Sequence, residues 1–99
     1  MTLHHDDFPA LEHFLGAYLH QDWHDEYAST EEGFRHFLAA EPRYGALISD
    51  ELRRVVGAEH DEADLKKLVL DCGSFYLPRN DGIPTRTWLS GLLALCADG

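Results

Sequence analysis

Seven histidines and eighteen Asp and Glu residues in a chain of 99 raise metal chemistry first. His20 and His24 are four apart, His13 lies about two turns before His20, and Asp22, Asp25 and Glu26 are close by. If one helix ran on to Glu26, His20 and His24 would share a face, and two imidazoles with a carboxylate can hold zinc or ferrous iron. No His-Glu-x-x-His or Cys-x-x-Cys run accompanies them, and four-residue spacings recur by chance in any helix-rich chain. These histidines are therefore read as surface or interface residues, and neither a metal nor another cofactor is expected. A metal-binding or regulatory helical module built on His13, His20 and His24 stays as an alternative.

Nucleophilic catalysis has less to work with. Cys72 and Cys96 are too few and too far apart for a disulfide framework or a zinc motif. Both fall on apolar helix faces and read as buried free thiols in a reducing compartment. Lys66 and Lys67 sit on the wrong turn to lower the pKa of Cys72, as a reactive thiol would need. There is no Gly-x-Ser-x-Gly elbow and no glycine-rich phosphate cradle. Paired acids such as Asp25-Glu26 are abundant, but catalytic carboxylates need a cleft that perturbs them, and a small bundle rarely offers one. The expectation is a protein that binds rather than catalyses.

Charge points the same way. The net charge is −10, and no Lys or Arg precedes Arg35. Asp6, Asp7, Glu12, Asp22, Asp25, Glu26, Glu31 and Glu32 place −8 of that charge in residues 1–34. Such a surface repels nucleic acid and anionic lipid and attracts a basic protein. The run Tyr18 to Tyr27, YLHQDWHDEY, sets aromatics among acids where the helical pattern lapses. Aromatics that anchor and acids that steer are interface chemistry. The expected partner-binding residues are Asp22, Trp23, Asp25, Glu26, Tyr27 and Glu31. Core packing is the competing reading for Tyr18 and for Trp23. If the acids serve only solubility, the interface falls on the Phe75 to Asp81 loop and the last two helices.

The elements that would hold these residues follow from apolar spacing near 3.6 residues. Phe8, Leu11, Leu15, Tyr18 and Leu19 form one stripe, with Phe14 beside it, Asp7 as its N-cap and Pro9 in its first turn. Ser29-Thr30-Glu31-Glu32 is a capping box that opens a second helix carrying Phe34, Phe37 and Leu38. Pro42 starts a third, with Tyr44, Leu47, Ile48, Leu52, Val55 and Val56 inward and Gly57 just past its end. Asp61 or Glu62 starts a fourth, with Leu65, Leu68, Val69 and Cys72 inward and Gly73 closing it. After a turn-rich loop, Thr85 caps a fifth carrying Trp88, Leu89, Leu92, Leu93, Leu95 and Cys96. The prediction is an all-α single domain, a compact bundle of about five short amphipathic helices spanning residues 1–99. The opening MTLHHDDFPALEHF lacks the cationic and apolar regions of a signal peptide, and no run could span a bilayer, so a cytoplasmic protein is expected.

The run Gly16-Ala17-Tyr18-Leu19-His20-Gln21-Asp22-Trp23, with the acidic-aromatic stretch and capped helix after it, resembles immunity proteins of bacterial contact-dependent growth inhibition systems. Leu65, Leu68 and Gly73 before Tyr76-Leu77-Pro78, then Asp81-Gly82 and Trp88-Leu89, extend the resemblance from about Phe8 to Leu95. It implies a protein that neutralises the C-terminal domain of a cognate toxin, a basic nuclease, by occluding its active-site cleft in a 1:1 complex with a monomer. No contact residue carries over from the resemblance. An acidic nucleic-acid mimic that inhibits a DNA-binding protein is the other alternative, although these acids cluster toward one end instead of spreading at phosphate-like intervals.

Overall fold

The computed structural model describes residues 4–20, 22–57, 60–76 and 78–98. Their order is α1 (Pro9–Tyr18), α2 (Trp23–Glu26), α3 (Thr30–Ala40), α4 (Gly45–Gly57), α5 (Glu62–Asp71) and α6 (Thr85–Asp98). Short 3₁₀ turns at His5–Asp7, Pro42–Tyr44 and Pro78–Asp81 join them. Five of the helices have ten residues or more, α2 is a single turn, and no strand occurs among the described residues. The all-α bundle expected from the periodicity is the observed fold.

α4 is the central helix, packed most broadly on α6 and also on α1, while α3 lies against α1 and α6 and α5 against α6. Phe14, Phe34, Phe37, Leu11, Leu15, Leu19, Ile48, Leu52, Leu65, Leu68, Leu89 and Leu92 are fully buried. Full burial of each such side chain contributes about 1.5–3 kcal/mol, which is what holds helices of this length in place. Leu47 departs from the expected stripe and is 40% exposed. The buried face of α4 runs through Ile48, Leu52 and Val55, and Leu47, one residue from Ile48, is turned about 100° away from it.

The helix ends show where local sequence decides and where it does not. Ser29 Oγ accepts from the Glu32 amide at 3.1 Å, as the capping box requires, but the Glu32 carboxylate reaches the Ala28 amide (3.2 Å) one residue beyond the cap. Ser29→Ala should cost ~1 kcal/mol in chemical denaturation, the usual value of an N-cap acceptor; no change would place the start of α3 elsewhere. Asp61 caps α5 through Asp64 N at 2.8 Å. At the other end of α5, Gly73 N bonds Leu70 O (2.9 Å) and Ser74 N bonds Val69 O (3.3 Å). That pair of bonds is a Schellman turn, and Gly73 adopts the φ of +92° it needs.

Four expected ends are corrected. Pro42 opens the 3₁₀ turn that precedes α4, and the α-helix itself begins at Gly45. Asp7 belongs to the 3₁₀ turn, and Phe8 occupies the N-cap of α1 without a side-chain bond. Pro9 at the first position has no N–H, so the amides left over in that turn are those of Ala10 and Leu11. Both are taken by Glu51, a wholly buried carboxylate of α4, at 3.0 and 2.8 Å. Thr85 does not cap α6 with its own hydroxyl. Glu62 of α5 accepts from the Thr85 amide at 2.8 Å, and the Thr85 hydroxyl donates to the same carboxylate. Gly57 is the last residue of α4 and lacks a positive φ.

Candidate functional site: an acidic face over an aromatic cluster

The acidic-aromatic run folds around Trp23. Its indole is 6% exposed and meets the Tyr76 ring edge-on at 5.5 Å, and Tyr76 lies in turn 5.2 Å from Trp88. Trp88 Nε1 donates to the Thr30 hydroxyl at 3.0 Å. One aromatic cluster thus joins α2, the 74–76 loop, α6 and the first turn of α3. Of the two readings of Trp23, its burial supports packing: it is a core side chain with almost no surface of its own.

Tyr18 is half-buried, and its hydroxyl donates to Glu41 Oε2 at 3.0 Å. Burial and that carboxylate push the phenol up to about 12. His13 Nε2 meets both oxygens of the same carboxylate at 3.0 and 2.8 Å, with its ring stacked 5.0 Å from Tyr44. The His13 bond holds the Glu41 carboxyl below its ordinary value. Tyr27 is half-buried, stacked 6.3 Å from Tyr18 and seated over Gly33, where an added Cβ would come within 3.3 Å of the ring.

The acids of the run stay outside. Asp22, Asp25, Glu26 and Glu31 are exposed. Among the described residues, the one ion pair any of them makes is Glu26 with His20 Nε2, at 3.4 Å. His20 Nδ1 accepts from the Asp22 amide at 3.1 Å, which leaves the other ring nitrogen to carry a proton toward Glu26. Of the six expected binding residues, then, four are solvated carboxylates, Tyr27 is partly covered, and Trp23 lies beneath them.

The alternative metal set is not assembled among the described residues. His13 is engaged by Glu41 and His20 by Asp22 and Glu26, while the side chain of His24 lies outside the described residues. One trio of possible ligands converges elsewhere, at His5, Asp6 and Glu12, all half-buried or exposed. Cys72 is buried, with its thiol pushed up to about 12 by burial and by the charge of Glu12, as expected of an inert thiol. Cys96 is only half-buried, short of the full burial expected.

Sequence reasoning gave Phe75 a place only in the fallback interface, and the structure brings it to the acidic run. Phe75 N donates to Leu19 O at 2.9 Å, which sets the loop against the α1–α2 turn, and the ring is 64% exposed. A groove elsewhere is lined by Glu62, Lys66, Lys67, Leu70, Asp71 and Ile83; its two acids and two lysines balance, with Lys67 paired to Asp71 at 3.1 Å, so it offers a basic partner no net attraction. No helix among the described residues is long and apolar enough to cross a membrane.

The described residues of the run Gly16 to Trp23, from which Gln21 is absent, now have a structural account. Gly16 lets α1 approach the end of α5, where a Cβ would come within 3.2 Å of Cys72 O. Leu19 is core and offers its carbonyl to Phe75, His20 closes the turn, and Trp23 seats the aromatic cluster. Neither the curated proteins nor the solved structures contain a significant match to the chain. Residues 7–95, which hold all six helices except the last residues of α6, match the family described as CdiI immunity protein, and the chain belongs to that family of toxin-neutralising immunity proteins.

Proposed function

We propose that the protein neutralises its cognate toxin domain by laying the acidic face of α2 and the start of α3 over a basic cleft, in a 1:1 complex, and that the toxin is a nuclease. The observation that carries this is the state of Asp22, Asp25, Glu26 and Glu31: four exposed carboxylates on adjoining elements, none paired with a Lys or Arg among the described residues. Unpaired like charges held on a folded scaffold cost stability through mutual repulsion, and a partner rich in Lys and Arg relieves that repulsion. A nuclease cleft, built to receive phosphate, has the matching chemistry. Inhibition by covering such a cleft needs no catalytic group on this chain, in keeping with an inhibitor that is not an enzyme.

Charge of this kind acts mainly on encounter, with steered association reaching on the order of 10⁸ M⁻¹s⁻¹ at low salt. Replacing Asp22, Asp25 and Glu26 together by Lys should slow association with the purified cognate toxin domain by roughly 10–100-fold at low salt and flatten its salt dependence. Surface plasmon resonance at two salt concentrations measures both. Unaltered rates with an unaltered salt slope would reduce the acidic face to a solubility feature.

A further inference from the structure

The segment Ser74-Phe75-Tyr76 is fixed at both sides and open in the middle. Ser74 is buried, and its hydroxyl donates to Tyr76 O (2.8 Å) while accepting from Tyr76 N (3.1 Å). Tyr76 is wedged between Trp23 and Trp88, and its hydroxyl donates to Asp81 Oδ2 at 2.8 Å. The Phe75 amide is tied to Leu19 O. The Phe75 side chain is left out, more exposed than the other two exposed large apolar residues among the described residues, Leu47 at 40% and Leu70 at 45%. Those two belong to the fringes of helices α4 and α5, where partial exposure is ordinary. A phenyl ring held into water by a backbone tied down at Ser74, Phe75 and Tyr76 is different, because those ties leave that backbone less freedom to lose on binding.

Acids flank the loop's attachment points. Asp22, Asp25 and Glu26 lie on the turn and helix against which it is pinned, and Asp81 holds Tyr76. An apolar centre within a charged rim is the anatomy of an interface whose anchor is desolvated on binding. We infer that Phe75 is the apolar anchor of the toxin interface, entering an apolar socket bordered by Lys or Arg on the toxin domain. This rests on the acidic-face reading above and divides its labour: the carboxylates set how fast the complex forms, and Phe75 how slowly it parts. A second copy of this chain suits the ring less well, since a two-fold contact through Phe75 would set the acidic rims of both copies against each other.

The test uses the full chain and the purified cognate toxin domain in surface plasmon resonance, with Phe75→Ala, Leu47→Ala as control, and the triple Lys variant at positions 22, 25 and 26. Phe75→Ala is expected to quicken dissociation about 30-fold or more, with association within about 3-fold and an unchanged circular dichroism spectrum. Leu47→Ala should leave both rates as they were. Dissociation of Phe75→Ala within about 3-fold of the native value would overturn the anchor. If the triple Lys variant still slowed association, the acidic-face reading would stand without the anchor; if it did not, both would fall. Loss of a dimer on Phe75→Ala in sedimentation, with toxin kinetics unaltered, would also overturn the proposal, in favour of self-association. Should Phe75→Ala fail to fold, the photocrosslinking residue benzoylphenylalanine at position 75 should capture the toxin domain where the same residue at position 47 does not. Equal capture at both positions would sink it.

Discussion

Glu51→Ala should lower the folding free energy by roughly 2–6 kcal/mol, the cost of leaving two buried amides without acceptors at about 1–3 kcal/mol each. The first turn of α1 has Phe8 where a Ser, Thr, Asp or Asn would ordinarily cap it, and Pro9 contributes no donor. Its remaining donors, on Ala10 and Leu11, lie in the core and depend on one carboxylate from α4. Glu51→Gln keeps an acceptor of the same shape and should lose less than Glu51→Ala. Burial pushes the Glu51 carboxyl above its ordinary value of 4.5 despite both amide bonds and the nearby Arg54. A carboxyl raised in the folded state favours folding most when protonated. Its contribution is complete below about pH 4.5 and is lost as pH rises through the raised folded value. The advantage of the native protein over Glu51→Gln should therefore shrink as pH increases across that window. Glu41, held below its ordinary value by His13, has the opposite sign. Its contribution is present above about pH 4.5 and is lost as pH falls through the lowered value. Equilibrium urea titrations of Glu51→Gln and Glu41→Gln over pH 3 to 7 check both slopes; parallel profiles would refute the assignment.

Trp23→Ala should cost about 3–5 kcal/mol, the usual range for removing a large aromatic from a packed interior. It should also reach beyond its own site. Tyr76 rests on Trp23 at one side and Trp88 at the other, and the loop that carries Phe75 is seated through Tyr76. Near-ultraviolet circular dichroism, which reports fixed aromatics, should therefore lose intensity beyond that of one indole. Toxin binding should weaken even under conditions where the variant remains folded. A stability loss below about 1 kcal/mol would mean that the indole is not in the core.

The helices were legible because their information is local. Leu11, Leu15, Phe34, Phe37, Ile48, Leu52, Leu68, Val69, Leu89 and Leu92 are expected inside from spacing alone and are buried, whereas Leu47, expected with them, is exposed. Ser29 caps as read, and of the two starts open for α5, Asp61 proves to be the cap; an N-cap and its amide lie three residues apart. What escaped was non-local. Glu51 and Glu62 serve amides 41 and 23 residues away in sequence, a relation no propensity encodes. A trace of Glu51 is nevertheless present, since it stands three residues from Ile48 and four from Val55, on their apolar stripe, and a carboxylate there needs a partner if it is buried. Trp23 was ambiguous for the same reason: its neighbour Tyr76 stands 53 positions on. Phe75 reads as one aromatic among several in a loop, and only the bond to Leu19 sets it against the turn that leads into α2.

The borrowed caps have a consequence for hydrogen exchange. In most helices the first-turn amides face water and exchange within moments, whatever the stability of the whole. Here the amides of Ala10 and Leu11 are covered by Glu51, and that of Thr85 by Glu62, so releasing them means lifting α1 off α4 or α6 off α5. These three protons should be among the slowest in the molecule, tracking global opening and not the fraying of an end. α1 would then open together with α4, and α6 together with α5, with neither α1 nor α6 able to shed its first turn alone.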